Sequence, residues 1–176
     1  MIKLPALLPP TAMKAETDNI PFRTFEDLTV GQVFPLYDYI VSEADIIDFA
    51  IKYDPQPMHT DPIAAAESAM GGLLASGWHT CAISMRMLYD SFFYNTSAIV
   101  SPGADNIRWL GPVRPGDTLS GTFTITKAVE SRSKPDRGVV YADLVLQNQR
   151  NEQVMTLISK GFFFKQGYSE KKAPVE

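Results

Sequence analysis

Between Trp78 and Tyr94 the chain carries only two charges, Arg86 and Asp90, and immediately afterwards its period changes. Trp78, Cys81, Ala82, Met85, Leu88, Tyr89 and Phe92 recur at helical spacing, and most intervening residues are uncharged. A helix over about 78–94 is therefore apolar around most of its circumference and belongs inside something. Three long β-patterns follow, at about 118–130, 138–149 and 152–165. Alternation is plain in Thr122-Phe123-Thr124-Ile125-Thr126 and in Val140-Tyr141-Ala142-Asp143-Leu144. Joined through Ser133–Gly138 and a tight turn near Asn151-Glu152, they read as an antiparallel meander with one dry face. A sheet curled around the helix buries the apolar side of both. The predicted class is α+β with a single central helix.

The first half supplies shorter elements. Phe25–Gln32 reads as a turn-bearing lead-in to a strand at 33–41. Ser42-Glu43-Ala44-Asp45 resembles a capping box, with Ile46, Phe49, Ala50 and Tyr53 following at helical spacing before Asp54-Pro55 stops the helix. A second short helix is expected from Pro62, capped by Asp61 and broken near Gly71-Gly72. Ile107–Leu110 leads into a turn at Pro112–Asp117. Residues 1–24 read as a proline-rich arm, 25–166 as one domain and 167–176 as a charged tail.

Composition excludes several classes. A chain of 176 residues with 45% hydrophobic and 20% charged side chains suits one globular domain. A net charge of −4 argues against a general nucleic-acid binder. Cys81 is the only cysteine, so no internal disulfide forms and a reducing compartment fits. No apolar run approaches a membrane span, and prolines interrupt the N-terminal apolar patch, so a cytoplasmic protein is expected.

The chemistry concentrates in Tyr53-Asp54-Pro55-Gln56-Pro57-Met58-His59-Thr60-Asp61. Its prolines predict a stiff segment that is neither helix nor central strand. A carboxylate and an imidazole on such a segment suit acid–base work, because imidazole titrates near neutrality. Downstream, Leu73-Leu74-Ala75-Ser76-Gly77-Trp78-His79 opens the long helix. Free amides at a helix N-terminus can polarise a carbonyl, and glycine admits a close approach to the backbone. A turn glycine serving backbone geometry alone is the other reading of Gly77.

In order, the Asp54–His59 segment, the Ser76-Gly77 approach and Arg108-Trp109-Leu110-Gly111-Pro112-Val113-Arg114-Pro115-Gly116-Asp117 carry a resemblance over roughly 25–165. The chain resembles the MaoC-like dehydratases, relatives of the (R)-specific enoyl-CoA hydratases, which adopt a hot-dog fold. The resemblance implies a single hot-dog domain that adds or removes water across the α,β bond of an acyl-CoA thioester. It implies Asp54 and His59 gripping the water, and the Gly77 amide as oxyanion donor. Gln56, Ser76 and Trp78 are then expected to meet substrate. Coenzyme A enters as part of the substrate, with no separate cofactor and no metal, and a homodimer is implied. The family often has asparagine where Gln56 stands and histidine where Ser76 stands.

Other residues carry blander expectations. His79 reads as a helix-start histidine that packs locally, Cys81 as core packing, and Arg108 and Arg114 as surface arginines with a possible reach to coenzyme A phosphates. No metal-ligand spacing joins His59, Asp61, His79 and Cys81. Two alternatives stay open: a hot-dog thioesterase and a non-catalytic subunit that binds acyl thioesters.

Overall fold

The computed structural model describes residues 21–168. The expected N-terminal arm and C-terminal tail lie almost wholly outside these residues. Strand β1 spans Val33–Ile40. Helices α1 (Glu43–Tyr53), α2 (Pro57–Thr60), α3 (Pro62–Glu67) and α4 (Gly77–Ser91) follow, and then strands β2 (Ala98–Trp109), β3 (Thr118–Glu130), β4 (Arg137–Gln147) and β5 (Gln153–Phe164). The strands form one sheet in the order β1-β3-β4-β5-β2, with every neighbouring pair antiparallel.

Alternation sets which face is dry. On β4, Val140, Ala142, Leu144 and Leu146 are all buried, while Asp143 between them is exposed. These side chains meet Ile83, Met87 and Leu88 of α4 in one apolar cluster. Phe92, just past the helix, anchors its C-terminal end. Its ring centroid lies 4.9 Å from that of Phe123, 6.0 Å from Phe163 and 4.8 Å from Phe34. The Tyr37 amide donates to Ser91 Oγ at 2.8 Å, tying β1 to the same end.

Local signals explain the shorter helices. Ser42 caps α1, its Oγ accepting from the Asp45 amide at 3.0 Å and donating to Asp45 Oδ2 at 2.7 Å. Asp61 caps α3 through the amides of Ile63 and Ala64.

Three expectations need correction. The segment after Asp54 is not free of helix, because Pro57–Thr60 closes a helical turn. Pro57 stands at its start, where a missing amide has no partner to lose. The sheet has a fifth strand: β2 contains Pro102, Gly103, Asp105 and Asn106, which mask its β character in the sequence. It lies on the sheet edge, where proline is tolerated.

The third correction concerns the long helix, which ends at Ser91 and turns a different side inward. His79, Thr80, Ile83, Ser84, Met87 and Leu88 are buried, whereas Trp78, Met85 and Tyr89 are 59%, 54% and 49% exposed. Burying two hydroxyls leaves neither unpaired. Thr80 Oγ1 donates to the Ser76 carbonyl at 3.3 Å and Ser84 Oγ to the Cys81 carbonyl at 2.7 Å. The helix thus has two apolar sides, and the sheet takes the less obvious one.

Phe92→Ala should destabilise the fold by about 3–5 kcal/mol through lost burial and a cavity among Phe34, Phe123 and Phe163. Urea unfolding followed by tryptophan fluorescence measures it.

Candidate active site

The site is assembled around the extended segment Leu73–Ser76. The Leu74 amide donates to the Met58 carbonyl at 3.2 Å, and the Ala75 amide to the Val113 carbonyl at 2.8 Å. This segment therefore bridges α2 and the turn after β2. Its carbonyl at Leu74 also receives His59 Nδ1 at 2.8 Å. A carbonyl only accepts, so Nδ1 bears a proton, and in the neutral imidazole Nε2 keeps its lone pair. His59 is buried, and its Nε2 stands 3.6 Å from Asp54 Oδ2.

Asp54 ends α1, and two side-chain donors hold its carboxylate. Ser76 Oγ donates to Oδ2 at 2.6 Å, and Gln56 Nε2 donates to Oδ1 at 2.8 Å. These two bonds, Ser76 first, hold the Asp54 carboxyl below its ordinary range, with nearby His59 adding to the effect. Ser76 also caps α4, its Oγ accepting from the Trp78 amide at 3.2 Å. Being 1% exposed, the Ser76 hydroxyl serves Asp54 and the helix end. Gln56 and Ser76 line the pocket, but both turn their donors to Asp54.

Gly77 is the first residue of α4, so its amide lies outside the helix's own ladder. Its φ is not positive. The reason for glycine is steric: a Cβ there would stand 2.5 Å from Trp109 Cε2 and 2.8 Å from Cδ2 and Nε1. Trp109 Nε1 donates to the Gly77 carbonyl at 2.9 Å, and its ring meets that of Trp78 edge-on at 5.6 Å.

Asp54, His59, Gln56, Ser76, Gly77 and Trp78 all line one pocket of about 520 Å³. Met58, Met70, Leu74, Trp109, Leu110 and Val113 supply its apolar wall. Met85 does not reach it, and Leu73 is buried in the core instead. Arg114 lines the pocket too, though it is not a loose surface cation. Its Nη1 donates to the carbonyls of Gly72 and Leu73 at 3.1 and 3.3 Å, and Nη2 to that of Met70 at 2.6 Å. Arg114 thereby clasps the turn at Gly71-Gly72, where positive φ values of 64° and 143° favour glycine.

His79 stays out of the pocket. It is buried, stacks on Phe49 at 4.7 Å, and burial pushes its pKa down. Cys81 is partly buried, with Sγ 3.7 Å from Met155 Sδ, and burial raises its thiol pKa. Sequence reasoning missed three contributors: the Leu74 carbonyl, the Arg114 clasp and the Trp109 brace. Only Trp109 had a signal, as a large aromatic beside a turn, and nothing in the sequence paired it with Gly77.

The MaoC like domain model matches residues 25–148. The chain is 33% identical over 130 residues to the uncharacterized protein YdeM of Bacillus subtilis (strain 168), covering 73% of this chain and 90% of YdeM. A MaoC-like dehydratase from Rhodospirillum rubrum superposes with a TM-score of 0.77 at 40% identity, covering 82% of this chain and 98% of its own. The R-hydratase PhaJ1 from Pseudomonas aeruginosa shares the fold at 22% identity and a TM-score of 0.66, covering 81% and 86% of the two chains.

Because the folded pKa of Asp54 lies below its unfolded value, its hydrogen bonds stabilise the fold above the ordinary carboxylate range. That contribution is lost as pH falls through the depressed value. Ser76→Ala should move the Asp54 titration up toward that ordinary range and weaken this acid dependence. Carbon-13 NMR of the Asp54 carboxyl, followed over pH, reads the shift.

Proposed function

The chain belongs to the MaoC-like domain family, and from that premise we propose that it adds or removes water across the α,β bond of an acyl-CoA thioester. The observation that carries the reading is the opposition of His59 Nε2 and Asp54 Oδ2 across 3.6 Å beside the first amide of α4. Both atoms can accept, so one water on the pocket side can donate a hydrogen to each. The oxygen lone pairs of that water would then face the pocket.

In the hydration direction, His59 Nε2 takes a proton as the water oxygen bonds to Cβ. The Cα=Cβ electron pair moves toward the thioester oxygen, which the Gly77 amide and the positive end of α4 stabilise. The imidazolium then returns its proton to Cα, so one molecule of water is added overall. Asp54, held ionised by Ser76 and Gln56, holds the water and stabilises the imidazolium. Dehydration is the same path reversed. Coenzyme A enters only as part of the substrate, and the protein is read as cytoplasmic. No helix among the described residues is long and apolar enough to cross a membrane.

A homodimer belongs to the same reading. No residue of β2 is buried, and β2 forms one edge of the sheet. The exposed side of α4, with Trp78, Met85 and Tyr89, gives a second apolar surface. A second copy covering both is expected. Met85→Glu with Tyr89→Glu should shift the protein to monomer in sedimentation or light scattering at micromolar concentration.

Purified protein should remove the enoyl-thioester absorbance of a trans-2-enoyl-CoA, tested with linear and branched chains. Asp54→Asn and His59→Ala should each lower kcat by about 10²–10⁴. Release of free thiol would point instead to thioester hydrolysis, and binding without turnover to a non-catalytic subunit.

A further inference from the structure

Four hydrogen-bonding groups run in one direction across the pocket. Trp109 Nε1–H donates to the Gly77 carbonyl at 2.9 Å. That carbonyl belongs to the peptide unit whose N–H, at Trp78, donates to Ser76 Oγ at 3.2 Å. Because Ser76 Oγ accepts there, its own proton is free to point elsewhere, and it donates to Asp54 Oδ2 at 2.6 Å. Each bond in such a chain polarises the next, since a carbonyl that accepts makes the N–H of its own peptide a better donor.

The ends of this chain come from distant parts of the sequence. Trp109 closes β2, where it stands opposite Met155 of β5, so the sheet sets its position. Asp54 closes α1. The ring of Trp109 lies against Gly77 Cα so closely that only glycine fits. The indole therefore restrains the first peptides of α4 from two directions, by contact at Cα and by a hydrogen bond at the carbonyl. Nothing in the hydration chemistry itself calls on Trp109.

We propose that Trp109 is a positioning residue: through the Gly77–Trp78 peptide and the Ser76 hydroxyl, its indole N–H orients the Asp54 carboxylate and aims the Gly77 amide. The part of the pocket wall that Trp109 supplies is thus mechanically part of the acid–base pair. Its catalytic consequence rests on the hydratase reading, whereas the hydrogen-bonded relay does not.

The test is a double-mutant cycle between Trp109→Phe and Ser76→Ala, read by carbon-13 NMR titration of Asp54 in the full chain. Phenylalanine keeps an aromatic ring at this position but removes both the N–H and the second ring, so the Ser76→Ala background separates the relay from lost ring contact at Gly77. Because Trp109 is 47% exposed, folding should survive, and thermal unfolding checks this. Trp109→Phe is expected to raise the Asp54 titration midpoint when Ser76 is present and to leave it unmoved in the Ser76→Ala background. With a trans-2-enoyl-CoA, kcat should fall about tenfold while KM stays within about twofold. An unchanged Asp54 titration in Trp109→Phe overturns the proposal, as does an equal shift in both backgrounds. If the cycle shows coupling but the unsubstituted protein hydrates no enoyl thioester, the relay stands and the hydratase reading fails.

Discussion

Ser76 joins the two halves of the site with one oxygen. Its hydroxyl caps α4 by accepting from the Trp78 amide and, in the same position, donates to Asp54. Helix start and carboxylate are therefore placed relative to each other by a residue with no freedom to do otherwise, since it is 1% exposed. An alanine there would leave a helix end uncapped and a carboxylate short of a donor, two losses from one atom. His59 is fixed separately, through the Leu74 carbonyl two residues upstream. The segment Leu74–Ser76 thus holds both members of the acid–base pair while itself being pinned to α2 and to Val113. Precision at the site comes from this short extended stretch more than from the helices around it.

Helix α4 answers two demands that compete for its surface. One side packs on the sheet with Ile83, Met87 and Leu88, while Trp78, Met85 and Tyr89 remain open on the other. The open side begins at Trp78, which also lines the pocket. Whatever covers that side will therefore abut the site. This continuity gives the exposed apolar residues a reason to exist that core packing does not supply.

Much of the fold was legible because its signals are local. Alternation located β3, β4 and β5, the Ser42 and Asp61 caps located α1 and α3, and Gly77 located the start of α4. Strand β2 was not legible. Its proline, glycine and polar residues look like a loop, and only pairing with β5 makes it a strand. The buried face of α4 was misread for a related reason. A helix apolar on two sides does not say which side meets the sheet, and Thr80 and Ser84 hide their hydroxyls in the helix's own carbonyls.

For the candidate site, residue types, their order along the chain and the family resemblance pointed to Asp54, His59 and Gly77, and all three line one pocket. They are bunched near proline and glycine, whose backbone restrictions act over one or two residues and can be read directly. The partners that orient them were decided by tertiary structure alone. Trp109 lies 32 residues from Gly77, and Arg114 lies 41 and more from the carbonyls it clasps. Such contacts depend on how the sheet brings the end of β2 and the following turn across the start of α4. A hydrogen bond between side chain and distant backbone leaves no period or spacing in the sequence, because it is set by where two elements meet.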